Sequence, residues 1–191
     1  MTGEGWGAMA DWRLTTQNAA LVVIDVQEKL MAAMARRADV VTAADKLIRA
    51  ARLLELPVLI TVQYVKGLGP VCAELAAATA GLMPLEKMAF SCCGSEAFAR
   101  ALKALGRQRI VLCGVEAHVC VAQTALDLLA ADHTVYVATD AVCSRREVDC
   151  AVALERLRDQ GAVLTTAEAV VYELLREAGT PQFKQVLPLF K

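Results

Sequence analysis

Three residues of this chain could act as one chemical unit: the carboxylate of Asp25, the ammonium of Lys87 and the thiol of Cys120. Asp25 closes the run Leu21-Val22-Val23-Ile24, a setting too apolar for a carboxylate unless a neighbour uses its charge. Cys120 follows another apolar run, Ile110 to Val115, which breaks at Gly114-Val115-Glu116 before a helix opens at about Val119. Backbone N–H groups and the dipole at a helix start favour negative charge, so a thiol there tends towards thiolate, the form that attacks a carbonyl. The same N–H groups could hold an oxyanion. Position alone leaves Cys120 as nucleophile or small apolar filler, Asp25 as base or strand-end turn former, and Lys87 as site cation or solvated loop residue. A cysteine nucleophile needs a group to take its proton and a cation to hold the resulting charges, and the three together supply both.

The elements that must position them are short aliphatic runs alternating with longer segments of helical period, the pattern of a parallel sheet covered by helices on both faces. Strands are predicted at Ala20 to Asp25, Pro57 to Val62, Met83 to Lys87, Arg109 to Val115, Thr134 to Thr139 and Ala162 to Thr165. Helices are predicted from about Asp39, as N-cap, to Leu54, then over Ser95 to Leu105, Val119 to Ala130, Glu147 to Gln160 and Ala167 to Glu177. An irregular tail containing Pro181 and Pro188 should follow. In such a sheet the ligand crevice lies outside the carboxyl ends of the strands, where Asp25, Gln63, Tyr64, Lys87, the segment Gly114 to Cys120, and Asp140 all fall.

The chain has 191 residues, 57% apolar and 21% charged, the size and composition of one globular domain, here 1–191, with 1–17 as a flexible or peripheral segment. A net charge of -1 supplies no field for nucleic acid or an anionic membrane. The longest stretches without a charged residue are eleven long, Leu14 to Ile24 and Leu75 to Leu85, short of the roughly 20 apolar residues that span a bilayer. No signal-peptide pattern opens the chain, and seven cysteines with no C-x-x-C pair fit reduced thiols, so a cytoplasmic location is expected. Gly67-Leu68-Gly69 lacks the third glycine of a dinucleotide fingerprint, and neither a P-loop nor a G-x-S-x-G elbow occurs.

The segments around the three residues, Val22-Val23-Ile24-Asp25-Val26-Gln27, Glu86-Lys87-Met88-Ala89-Phe90-Ser91 and Cys113-Gly114-Val115-Glu116-Ala117-His118-Val119-Cys120-Val121, resemble the isochorismatase-like cysteine hydrolases, a family that includes nicotinamidases. The resemblance covers nearly the whole chain. Further segments, among them Leu126-Asp127-Leu128-Leu129 and Pro181-Gln182-Phe183-Lys184, look most like the subgroup of isochorismatase domain-containing protein 2. It implies a Rossmann-like three-layer α/β/α fold with a six-stranded parallel sheet, and Asp25, Lys87 and Cys120 as the catalytic triad. It also implies a cis peptide between Val115 and Glu116, with the N–H groups of Glu116 and Cys120 as an oxyanion hole. Gln27, Tyr64, Phe90 and His118 are candidate pocket residues.

Two departures narrow the expectation. Ala117 stands where many members carry Thr, and Thr61-Val62-Gln63-Tyr64-Val65-Lys66 stands where nicotinamidases carry their metal-binding histidines. With only His118 and His133 in the chain, no metal and no cofactor is expected. The expected protein is a hydrolase of a small-molecule amide or related acyl bond, working through a thioester. A non-catalytic interaction protein that kept the fold is the alternative from another class, and an isochorismatase-type vinyl-ether hydrolase the alternative within it. Cys120 is expected to be the thiol alkylated fastest near neutral pH. The helix after it is apolar nearly all round, so a homo-oligomer is expected to bury it.

Overall fold

The six apolar runs become six parallel strands. The computed structural model describes residues 13–191, in which β1 (Ala19–Ile24), β2 (Val58–Gln63), β3 (Leu85–Lys87), β4 (Arg109–Val115), β5 (Thr134–Cys143) and β6 (Val163–Thr165) form one sheet of order β3-β2-β1-β4-β5-β6. Among the described residues eight helices cover it: α1 (Glu28–Ala32), α2 (Arg37–Leu53), α3 (Val65–Leu68), α4 (Glu96–Leu105), α5 (Ala122–Ala130), α6 (Glu147–Asp159), α7 (Ala167–Leu175) and α8 (Pro181–Val186). Side chains alternate across a strand, so Leu21 and Val23 of β1 pack beneath α2, α7 and α8, while Ala20, Val22 and Ile24 pack beneath α4, α5 and α6. A strand buried on both faces reads as an unbroken apolar run, which is why β1 and β4 were legible.

Of the segment 1–17, residues 1–12 lie outside the described residues. Leu14 is fully buried, and its N–H donates to Glu173 Oε1 at 2.7 Å.

The sheet is doubly wound outward from β1, whose register sets Ile24 beside Thr61 of β2 and Gly114 of β4. The strand ends bearing the three chemical residues therefore lie side by side. At Gly114 the backbone takes φ 117°, and a Cβ there would lie 2.0 Å from the Ile24 carbonyl oxygen. Only glycine lets β4 approach β1 so closely. The β4–β5 register shifts between Leu112 and Gly114, and this irregularity carries β5 on to Cys143, beyond the expected end at Thr139. Asp140 thereby falls inside β5 instead of in the crevice, where its Oδ1 accepts from the N–H of Ala167 at the start of α7.

Three other expectations are corrected. α2 starts at Arg37, so Asp39 lies in its first turn, where its charge still complements the helix dipole. The tail is helical: Thr180 caps α8 by accepting from the N–H of Phe183, and Pro181 occupies the first turn, where its missing N–H costs nothing. α5 is preceded by a π-helical turn, Ala117–Val121, and its flanks are covered within the chain by α6 and the 3-10 turn Cys92–Gly94. Leu126 and Leu129 remain half-buried, and the helix proper starts at Ala122, three residues after the expected Val119. No helix among the described residues is long and apolar enough to cross a membrane.

Candidate active site

The sheet brings Asp25, Lys87 and Cys120 into contact. Asp25 follows β1 in the left-handed region, φ 53°, and both it and the Lys87 ammonium have no exposed side-chain surface. Lys87 Nζ donates to Asp25 Oδ2 at 2.7 Å, and the Thr61 hydroxyl donates to Oδ1 at 2.9 Å. The ammonium also meets Gln63 Oε1 at 2.7 Å and the carbonyls of Phe90 and Ala89 at 3.0 and 3.2 Å. Its three protons are thus spread over four oxygens. A fully desolvated ion pair is seldom worth more to stability than apolar packing of the same volume. The arrangement makes sense as a device that holds a carboxylate and an ammonium in fixed register at the strand ends.

Cys120 lies within the π turn, 6% exposed, near enough to Asp25 and Lys87 to feel both charges. Burial first, then the Asp25 charge, push this thiol up to about 12, with Lys87 only partly opposing them. Desolvation and the neighbouring negative charge oppose the pull of the helix start toward thiolate. Iodoacetamide labelling of Cys120, followed by peptide mapping, is expected to accelerate about tenfold per pH unit from roughly pH 7 to 10, because it tracks thiolate fraction. A rate flat over that range would show the thiol already ionised.

The peptide bond between Val115 and Glu116 is cis, and the Glu116 carbonyl accepts from the N–H groups of Val119 and Val121 in the π turn. The Glu116 carboxylate is held by Arg145, whose backbone N–H and Nε each donate to Oε2 at 3.0 Å.

The four candidate pocket residues separate. Gln27 is fully buried, its Nε2 donating to the carbonyls of Gln63 and Gly69 and its Oε1 accepting from the N–H of Gln63. Both ends of the amide are committed to backbone, so Gln27 is a strut between the loops after β1 and β2 and not a pocket wall. Tyr64, at φ 38°, and Phe90 are 43% and 55% exposed beside Lys87, with the N–H of Tyr64 donating to the Lys87 carbonyl. The Tyr64 ring lies against Gly67, where a Cβ would meet it at 2.2 Å. His118 is half-buried, with Nδ1 2.9 Å from the Ser144 hydroxyl. Among the described residues no three of His, Cys, Asp and Glu cluster as metal ligands do.

Sequence reasoning missed Thr61 and Gln63 as supports of the ion pair, and Ser144 and Arg145 as partners of His118 and Glu116. A signal for the first two was present: they are polar residues two apart in the otherwise apolar Val58-Leu59-Ile60-Thr61-Val62-Gln63, hence on one face of β2.

Residues 19–169 match the isochorismatase domain. The chain belongs to the isochorismatase family. It is 41% identical over 178 residues to isochorismatase domain-containing protein 2 of Danio rerio, covering 93% of this chain and 89% of that one. The MAR1 ribonuclease of Caenorhabditis elegans superposes with a TM-score of 0.87 at 39% identity, over 93% of this chain and 91% of that chain. The YcaC gene product of Escherichia coli, an octameric hydrolase of unknown specificity, superposes at 0.83 with 26% identity, over 93% and 90%. Isochorismatase-family membership and these neighbours support a hydrolase on a six-stranded α/β scaffold.

Proposed function

We propose that this protein is a cysteine hydrolase that cleaves a small-molecule amide or related acyl bond through a thioester on Cys120. The observation that carries the reading is a single buried carboxylate, Asp25, bonded to a fully desolvated ammonium and close to the nearly buried thiol of Cys120. A binding module gains nothing from that arrangement. As Cys120 Sγ attacks the carbonyl carbon, Asp25 takes the thiol proton, and the N–H groups of Glu116 and Cys120 receive the oxyanion. Asp25 returns the proton to the leaving nitrogen as the C–N bond breaks. Water, deprotonated by Asp25, then cleaves the thioester, releasing the acid and restoring the thiol.

Vinyl-ether hydrolysis would need the acid but no cysteine, so the placement of Cys120 near Asp25 favours acyl chemistry. Cleavage of RNA, the activity in the name of the Caenorhabditis elegans relative, would require cations free to meet phosphate, and Lys87 is already fully engaged. A homo-oligomer completes the reading, supported by the octameric Escherichia coli neighbour, as does a cytoplasmic location, supported by seven free thiols.

The test is a panel of neutral amides, ureides and aromatic carboxamides, with an RNA oligonucleotide alongside, scored for ammonia release or strand cleavage. Acid-quenched protein from the best turnover reaction is expected to carry the acyl mass on the Cys120 peptide. Turnover with no adduct at Cys120, or cleavage of RNA alone, would overturn the reading.

A further inference from the structure

Glu116 puts a carboxylate where charge is unwelcome. Its backbone N–H belongs to the oxyanion hole proposed above, and its own carboxylate side chain is only 10% exposed. Buried carboxylates are retained where they are paired and hydrogen-bonded, and Glu116 is both, through two bonds to Arg145. Its carbonyl is fixed as well, by Val119 and Val121 of the turn that carries Cys120. The residue is thus tied at one end to the nucleophile's turn and at the other to the loop after β5.

Resting on the cysteine-hydrolase reading, the geometry points to Arg145 as a positioning residue for the oxyanion hole. It holds Glu116 through the carboxylate, so that the N–H keeps its aim, and it cancels the charge of the carboxylate that it holds. One donation comes from the Arg145 backbone and one from Nε, so truncating the side chain removes the cation and leaves a single neutral donor facing a buried negative charge. That charge would then oppose the oxyanion from close range. Donor placement of this kind acts on the transition state and not on the bound substrate.

The probe is p-nitrophenyl acetate: Cys120 Sγ bonds to the acetyl carbon, p-nitrophenolate leaves, and water later releases acetate and the thiol. Arg145→Ala is expected to lower kcat about 10²-fold with KM within about twofold, the size of effect expected when an oxyanion donor is lost or misplaced. Glu116→Gln/Arg145→Ala removes the stranded charge and should recover about tenfold over Arg145→Ala. Iodoacetamide alkylation of Cys120 occurs at a saturated carbon and forms no oxyanion, so Arg145→Ala should leave its rate unchanged.

An Arg145→Ala enzyme with undiminished kcat would overturn the proposal. So would acylation and alkylation falling together, or a double variant no faster than Arg145→Ala. Hydrolysis surviving in Cys120→Ala would overturn the cysteine mechanism and this role of Arg145 with it. A silent Cys120→Ala beside an undiminished Arg145→Ala would overturn the role of Arg145 alone.

Discussion

Cys120→Ala is expected to remove hydrolysis of every substrate the panel identifies, by at least about 10⁴-fold in kcat, as loss of a covalent nucleophile does elsewhere. The fold should survive. Alanine suits a helical turn, Asp25 retains its bonds from Lys87 and Thr61, and the deleted sulfur leaves a small void worth about 1 kcal/mol. For a chain of this length that corresponds to a fall in melting temperature of roughly 2–4 °C. Loss of turnover with a near-parental thermal transition is the expected pair of results. Turnover retained in a folded Cys120→Ala protein would end the covalent mechanism.

Lys87→Met should be costlier, because it strikes activity and stability together. It strands the Asp25 carboxylate without its cation and leaves Gln63 Oε1 and the Phe90 and Ala89 carbonyls without their donor. Breaking a buried pair from one side typically destabilises by about 3–5 kcal/mol, and a base that must take up a proton to stay buried no longer accepts one from Cys120. Adding Asp25→Asn removes the stranded charge, so the double variant should regain about 2 kcal/mol over Lys87→Met in urea unfolding while remaining inactive. A double variant no more stable than Lys87→Met would mean that the ion pair is not the coupled unit seen in the structure.

What could be read from the residues alone followed the range of the forces involved. The aliphatic runs before Asp25 and before Cys120 announced strands because burial on both faces leaves no polar interruption. Asp25, Lys87 and Cys120 were recognisable because each ends or follows such a run, and parallel topology then forces their ends together. β5 was misjudged because its length depends on an irregularity in its pairing with β4, which no local pattern records. α8 was misread because Thr180-Pro181 can break a chain or open a helix, and the outcome rests on Val186 finding the core and on Tyr172 meeting Phe183 and Phe190 edge-on. Arg145 was invisible because its partner, Glu116, lies on another strand's end. The upward push on the Cys120 thiol was invisible for a related reason: a helix start is local, whereas desolvation and the Asp25 charge come from the assembled sheet.

The strand order also sets a timetable for synthesis. β1 occupies the middle of the sheet, yet its two neighbours are encoded downstream, at 58–61 and 109–114. As the chain leaves the ribosome, Ala19–Ile24 can pair early with β2, and must then wait with its other edge open until β4 emerges. For that interval the nascent chain presents unpaired backbone groups on a strand whose side chains are all destined for burial, a surface that chaperones and other nascent chains recognise. Insertion of β4 closes the gap and, in the same event, delivers Cys120 to Asp25 and Lys87. A truncated product that ends before β4 therefore cannot bring the proposed triad together, whereas β5 and β6, encoded later still, complete the sheet only after Cys120 is in place.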